Sequence, residues 1–253
     1  MTVFVVGISV LSLVSGLLIG CIGIGGVLLV PCLSLAGIDV HAAIGGSLMT
    51  YIFSGIMGVA LYARHGSIDW RSAAWLSAGA APGAFLGSLI AAHTREQILL
   101  ALIGATVAFS GWRILRRHSE VAGHGVKVPQ PLALVGIAIV VGFACAITGT
   151  GGPVLLVPLL MWLSVPVLTS VGLSQAIQIP IALMATVGNA WTGSLDWRLG
   201  AWLSIGVVLG AAAGARVAHA LPAPLLTRIV AVALVLVGAI VLARSGQSLA
   251  NTW

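Results

Sequence analysis

The chain has 253 residues, of which 60% are hydrophobic and only 6% charged, whereas a soluble domain carries about 25% charged residues. With a mean hydropathy of +1.17, this composition excludes a soluble globular or disordered protein and describes a polytopic, all-α membrane protein with room for about eight crossings at roughly 20 residues each. The formal net charge of +6 does not point to nucleic acid, because the bases sit singly at span ends, as the positive-inside rule expects.

In chain order, the first apolar segment covers 3–20 and resumes as 27–37. The opening Met1-Thr2-Val3-Phe4-Val5-Val6 carries no positive charge and reads as a retained first helix rather than a cleaved signal. Between the two pieces lies Gly20-Cys21-Ile22-Gly23-Ile24-Gly25-Gly26-Val27-Leu28-Leu29-Val30-Pro31. Glycine is poor in a helix interior, so Gly23, Gly25 and Gly26 predict a break inside this helix. Spans follow at 42–63, 72–92 and 97–117, then a polar run from Arg116 to Pro129. The second set is 131–147 resuming as 154–164, then 168–190, 199–218 and 225–244. Its first segment breaks at Ala146-Ile147-Thr148-Gly149-Thr150-Gly151-Gly152-Pro153 before an identical Val-Leu-Leu-Val-Pro.

The two sets form an internal repeat. Gly66-Ser67-Ile68-Asp69-Trp70-Arg71 returns as Gly193-Ser194-Leu195-Asp196-Trp197-Arg198, an offset of 193 − 66 = 127. The same offset takes Val27 to Val154, Gly45 to Gly172, Ser47 to Ser174, Gly83 to Gly210 and Gly111 to Gly238. The expected organisation is repeat 1 over 1–118, a linker over 119–130 and repeat 2 over 131–246, each repeat with four segments and a broken first helix. Duplicated halves are typical of secondary transporters, with the substrate near the midplane where the halves meet. If each broken segment crosses once, the repeats are parallel. If it enters and returns, they are inverted. Both arrangements place eight Lys and Arg on one side and three on the other, so charge does not choose between them; one crossing is the simpler expectation.

The five acids, Asp39, Asp69, Glu96, Glu120 and Asp196, and the six histidines all fall in loops or at span ends. That argues against a buried carboxylate relay, and against a membrane enzyme or metal centre, which needs clustered ligands. No catalytic residue, metal ligand or cofactor is expected. Cys21, Cys32 and Cys145 have no metal-ligand spacing and read as small buried residues.

The polar residues left inside the spans are neutral. A neutral site still binds an anion when helix starts face it. The first N–H groups of a helix lack intrahelical partners and carry about half a positive charge, and glycine lets a ligand approach them closely. Helix starts near Val27 and Pro153 would make such a site. The candidate substrate-binding residues are therefore Gly23, Gly25, Gly26, Gly149, Gly151 and Gly152. Ser47, Thr148, Thr150 and Ser174 join them as hydroxyl donors, and Gln175 and Gln178 as amides on one helical face. The isolated glycines Gly79, Gly83, Gly87, Gly206, Gly210 and Gly214 read as close helix packing. The two Asp-Trp-Arg turns read as interfacial anchors.

These glycine clusters, the Gly45/Ser47 and Gly172/Ser174 positions, the Gly-Ser-x-Asp-Trp-Arg turns and the duplicated eight-span layout resemble the TauE/SafE family of sulfite exporters over essentially the whole chain. The resemblance implies inner-membrane export of sulfite or an organosulfonate such as sulfoacetate. It carries the glycine-loop role onto Gly23, Gly25, Gly26, Gly149, Gly151 and Gly152, followed by Ser47 and Ser174. The expected partners are a small anionic substrate and the lipid bilayer, with a homodimer compatible with the pattern. A membrane potential adds about 2.3 kcal/mol per charge at 100 mV, so a dianion leaving an inside-negative cell needs no coupling ion. The alternatives are a transporter or channel for another small anion or organic solute, or a non-transporting membrane assembly subunit.

Overall fold

The computed structural model describes residues 2–22, 25–64, 66, 68–116, 130–163, 165–217, 232 and 235–244. Among them the regular elements are all helical. Helix α1 spans Thr2–Ile22, a 3-10 turn Gly25–Leu28, and α2 Leu29–Leu35. Then come α3 (Val40–Arg64), α4 (Trp70–His93), α5 (Glu96–Arg116), α6 (Pro131–Thr148), α7 (Gly152–Trp162), α8 (Val167–Trp191) and α9 (Trp197–Val217). The short α10 covers Val235–Arg244. Five helices have the length and apolarity of a membrane crossing, and Val5–Ile19, Glu96–Trp112 and Val235–Arg244 are shorter apolar helices. Most of the expected 225–235 stretch, the linker and Gly23 lie outside the described residues.

The ends of these helices are chemical rather than arbitrary. Asp69 accepts from the backbone N–H of Arg71 (3.1 Å) and from the Ser72 hydroxyl. Asp196 accepts from the N–H groups of Arg198 (2.9 Å) and Leu199 (3.0 Å). Each aspartate thus caps the helix it precedes, which contributes about 0.5–2 kcal/mol. The adjoining Trp70 and Trp197 are exposed, as headgroup-level anchors are. Gly66 and Gly193 take positive φ (64° and 75°) in the turns just before them.

Glycines at successive turns set two pairs of helices backbone to backbone. A Cβ added at Gly79, Gly83 or Gly87 of α4 would overlap the carbonyls of Val135, Ile139 and Phe143 on α6, and one at Gly142 would overlap Ala80. On the other pair, Gly210 and Gly214 of α9 meet the carbonyls of Leu13 and Leu17 on α1, Gly206 meets Ser12, and Gly16 meets Val207. Residue numbers rise together in both pairs, so α4 runs parallel to α6 and α1 to α9. Small residues every fourth position let the helices approach this closely, where dispersion replaces the absent hydrophobic drive.

Two further pairs run the other way. Between α3 and α8, Gly58 meets Gln175 while Gly55 meets Gln178 and Ile179. Between α5 and α10, Gly104 meets Leu242 while Gly238 meets Ala108. Numbers rise on one partner as they fall on the other, so both pairs are antiparallel. These are the helices that the 127-residue offset equates.

The direction of every segment follows. Only five residues, 65–69, separate α3 from α4, so the two oppose each other, and α4, α6 and α8 share one direction. Gly152, the first residue of α7, lies against Ser174, Ile177 and Gln178 in the middle of α8, while Trp162 leads directly into the start of α8. Helix α7 therefore opposes α8 and also α6: the chain turns back at Gly149–Gly151. By the same logic α9 and α1 share the direction of α3, so the chain also returns between α1 and α3. The expected single crossing of each broken segment, and with it the parallel arrangement, is corrected. Two helices exchanged by a two-fold axis run antiparallel only when the axis lies across them, in the membrane plane.

Candidate functional site

The second break is built from the end of α6 inward. Gly149 ends α6 with φ 62°, and Gly151 follows with φ 75°. Both are left-handed conformations that cost a side-chain-bearing residue about 1–2 kcal/mol. Around this turn every local polar group is tied down. The Thr148 hydroxyl donates to the Ala144 carbonyl (2.8 Å) and lies 2.8 Å from the Thr150 hydroxyl. Its single proton is thus committed, and the Thr150 hydroxyl is the donor of the second bond. The Cys145 thiol donates to the Gly151 carbonyl (3.0 Å). Helix α7 then starts at Gly152, with Pro153 next, where its missing N–H costs nothing.

This turn sits between the halves, level with the middle of α3. A Cβ at Gly151 would lie 3.4 Å from the Tyr51 ring, near the middle of α3. One at Gly149 would lie 2.7 Å from Val30 Cγ2 and 3.3 Å from Ile44 Cα, so the second turn touches the helix that follows the first. Ile44, Ser47 and Tyr51 share a face of α3 by i, i+3 and i+4 spacing. Ser47 is fully buried and its hydroxyl has no partner.

The chain resumes differently after the first break. Gly25 and Gly26 open a 3-10 turn rather than an α-helix, and α2 begins only at Leu29. The expected helix start near Val27 is thereby displaced by two residues. The backbone contacts explain why. Gly16 and Gly142 meet equivalent carbonyls, Val207 and Ala80, so α1 and α6 are related by 142 − 16 = 126. The Val-Leu-Leu-Val-Pro runs that follow are related by 127. One residue is added between them in the second copy, and a 3-10 turn follows the first break where an α-helix follows the second.

The other expected residues converge on the same region. Ser174 is buried and donates to Val171 O (2.7 Å). The Gln178 amide nitrogen donates to Ser54 Oγ (2.6 Å) and Tyr51 O (3.3 Å). Gln175 is buried beside Gly58, with its side-chain oxygen unpartnered. Thr148, Thr150 and Ser174 spend their hydroxyl protons on local acceptors, which leaves Ser47 and the N–H groups that open α7 among the donors for a ligand. Sequence reasoning did not place Tyr51, Ser54 or Cys145 among the site residues. The signal for Tyr51 was available: the repeat offset pairs it with Gln178 (178 − 51 = 127), and the two meet in space. Among the described residues no charged side chain is buried and no His, Cys, Asp and Glu cluster has metal-binding geometry.

A family model described as sulfite exporter TauE/SafE matches residues 8–241. A protein of Xylella fastidiosa (strain Temecula1), named "Probable membrane transporter protein", is 29% identical, covering 92% of this chain and 93% of its own. Two Bacillus subtilis proteins of the same description are similar: YdhB at 27% identity, covering 82% of this chain and 87% of its own, and YunE at 25%, covering 90% and 94%. No solved structure matches.

Proposed function

Because the chain belongs to the TauE/SafE sulfite exporter family and is a membrane transporter, we propose that it exports a small sulfur oxyanion, sulfite or an organosulfonate such as sulfoacetate, across the inner membrane. In this reading residues 1–118 and 131–246 are inverted repeats of four segments each, and the substrate binds at the midplane between the two glycine breaks. The observation that carries it is the Gly149–Gly151 turn. It places the start of α7, whose first N–H groups lack intrahelical partners and carry partial positive charge, in buried, uncharged surroundings beside Tyr51 and the middle of α8. An oxyanion held there is solvated by fixed dipoles and needs no buried cation. Release then requires no broken ion pair. The antiparallel packing of α3 on α8 supports alternating access, because an axis in the membrane plane makes the outward-open state the approximate mirror of the inward-open one.

Binding is tested by thermal unfolding of the purified protein across sulfite, thiosulfate, sulfate, sulfoacetate, taurine and chloride. A ligand at 100 times its dissociation constant stabilises by about 2.7 kcal/mol. A selective rise with sulfite or a sulfonate, absent in Gly151→Leu, is the expected result. No rise with any anion would sink the site and turn attention to neutral solutes. Transport is expected to be electrogenic in proteoliposomes, a dianion gaining roughly 4.6 kcal/mol at 100 mV. A flux driven by pH and indifferent to voltage would replace export down the potential with proton coupling.

A further inference from the structure

Four of the five buried side-chain atoms without a hydrogen-bond partner among the described residues lie on just two helices, α3 and α8: Ser47 Oγ, Gln175 Oε1, Thr186 Oγ1 and Asn189 Nδ2. All four residues are more than nine-tenths buried, at 0%, 3%, 8% and 2% exposure. An orphaned buried polar atom costs about 1–3 kcal/mol, so such atoms are rare and call for an occupant that satisfies them. Their arrangement is regular. On α8, Gln175, Gln178, Ala182, Thr186 and Asn189 follow i+3, i+4, i+4 and i+3 steps and form one stripe along most of the helix. On α3 the antiparallel register that sets Gly58 against Gln175 and Ser54 against Gln178 brings Ser47 level with Thr186.

We propose that this α3/α8 seam is the path along which the anion moves to and from the midplane site, and that Gln178 is the gate across it. The proposal rests on the anion-transport reading above and adds the route and the barrier. The Gln178 amide spans the seam at its centre, bonded to Ser54 Oγ and Tyr51 O on the opposite helix. Gln175 lies on one side of this bridge, with Ser47, Thr186 and Asn189 on the other. The chemistry suits an anion: two hydroxyls and an amide NH2 donate from one side, and a rotation of the Gln175 amide turns its NH2 toward the seam from the other. Gly58 makes the room for that amide, since a Cβ there would lie 2.5 Å from Gln175 Oε1. Opening requires only that Gln178 exchange its two protein acceptors for the passing oxyanion, which accepts the same protons.

The test is sided chemical labelling with methanethiosulfonate ethylsulfonate, itself a small sulfonate anion, in oriented vesicles. The background chain carries Cys21→Ala, Cys32→Ala and Cys145→Ser, and unfolding temperatures report that each variant is folded. Thr186→Cys and Asn189→Cys are expected to react from one side and Gln175→Cys from the other. Each should react about tenfold or more faster than Val187→Cys, which faces lipid, where a charged reagent is excluded. Adding Gln178→Ala should erase the sidedness and raise the flux of unrelated small anions such as chloride, whereas Leu183→Ala, on the lipid-facing side of the same helix, should do neither. Seam positions that react no faster than Val187→Cys, or sidedness that survives Gln178→Ala, would overturn the path and the gate. The two readings fail separately. Labelling in the expected pattern supports the seam even where no sulfur oxyanion raises the unfolding temperature, and a raised unfolding temperature without labelling overturns the seam alone.

Discussion

Gly149→Ala is expected to abolish anion-dependent stabilisation and to lower the stability of the protein by about 2–5 kcal/mol. About 1–2 kcal/mol comes from forcing a Cβ into the left-handed region, and about 1–3 from overpacking. The methyl would sit 2.7 Å from Val30 Cγ2 and 3.3 Å from the Ile44 backbone. Val30 is fully buried, so it has nowhere to swing, and the strain passes to the helix after the first break. Gly151→Ala is the informative companion. It suffers the same backbone penalty, but its methyl would make an ordinary contact with the Tyr51 ring at 3.4 Å. Its loss should stay near the backbone term, with the anion response weakened rather than lost. Unfolding temperatures with and without sulfite, measured on both variants, decide the matter. Equal losses would mean that the turn's conformation, and not its seat between Val30 and Ile44, sets the site.

The second large effect concerns the parallel helix pairs. Gly83→Ala and Gly210→Ala are each expected to prevent recovery of folded protein, because even a methyl group overlaps a backbone carbonyl, that of Ile139 or of Leu13. A backbone carbonyl cannot rotate away as a side chain does, so the helices must separate along their length and lose the close contact that holds them. Gly7→Ala and Gly136→Ala lie on the same α1 and α6 but have no atom within 4 Å of the new methyl. They should stabilise by about 0.5–1 kcal/mol through helix propensity. Size-exclusion profiles and unfolding curves for the four variants separate the cases. A well-folded Gly83→Ala protein would show that α4 and α6 have slack that their backbone contact denies.

Much of this architecture was legible before any coordinates. Adjacent glycines followed by a proline signalled an interruption at Gly149–Gly151, because helix packing rewards isolated small residues and has no use for neighbouring ones, but they did not signal that the chain turns back there. The spacing of Gly79, Gly83 and Gly87, repeated at Gly206, Gly210 and Gly214, announced close packing but not the partner. That partner is the first helix of the other half in each case, a reciprocal exchange that periodicity alone does not encode. The direction of the broken segments was hidden because Lys and Arg divide eight to three in either arrangement. It emerges only from contacts between distant residues, Gly58 with Gln175 and Gly104 with Leu242. Thr148, Thr150 and Ser174 were legible as buried hydroxyls, but not as groups whose protons are already spent on Ala144, Thr148 and Val171. That depends on side-chain rotation, which the local sequence leaves free. Tyr51 and Ser54 were not assigned to the site for a related reason. Their role comes from an amide contributed by a helix more than a hundred residues away.

The meeting of Tyr51 and Gln178 has a consequence for direction. In an assembly of two identical chains, the residue on the symmetry axis would face its own copy, and passage either way would meet the same barrier. Joining two halves in one polypeptide frees the axial positions to drift apart. Here one has become an aromatic ring against the second turn and the other an amide that bridges α8 to α3. An ion approaching from one face therefore meets a different last contact from an ion approaching from the other. Thermodynamics still fixes the equilibrium gradient, but the rates of loading and unloading need not match. Such a carrier acts as a partial rectifier, its loading and unloading set apart by unmatched pairs such as Tyr51 and Gln178.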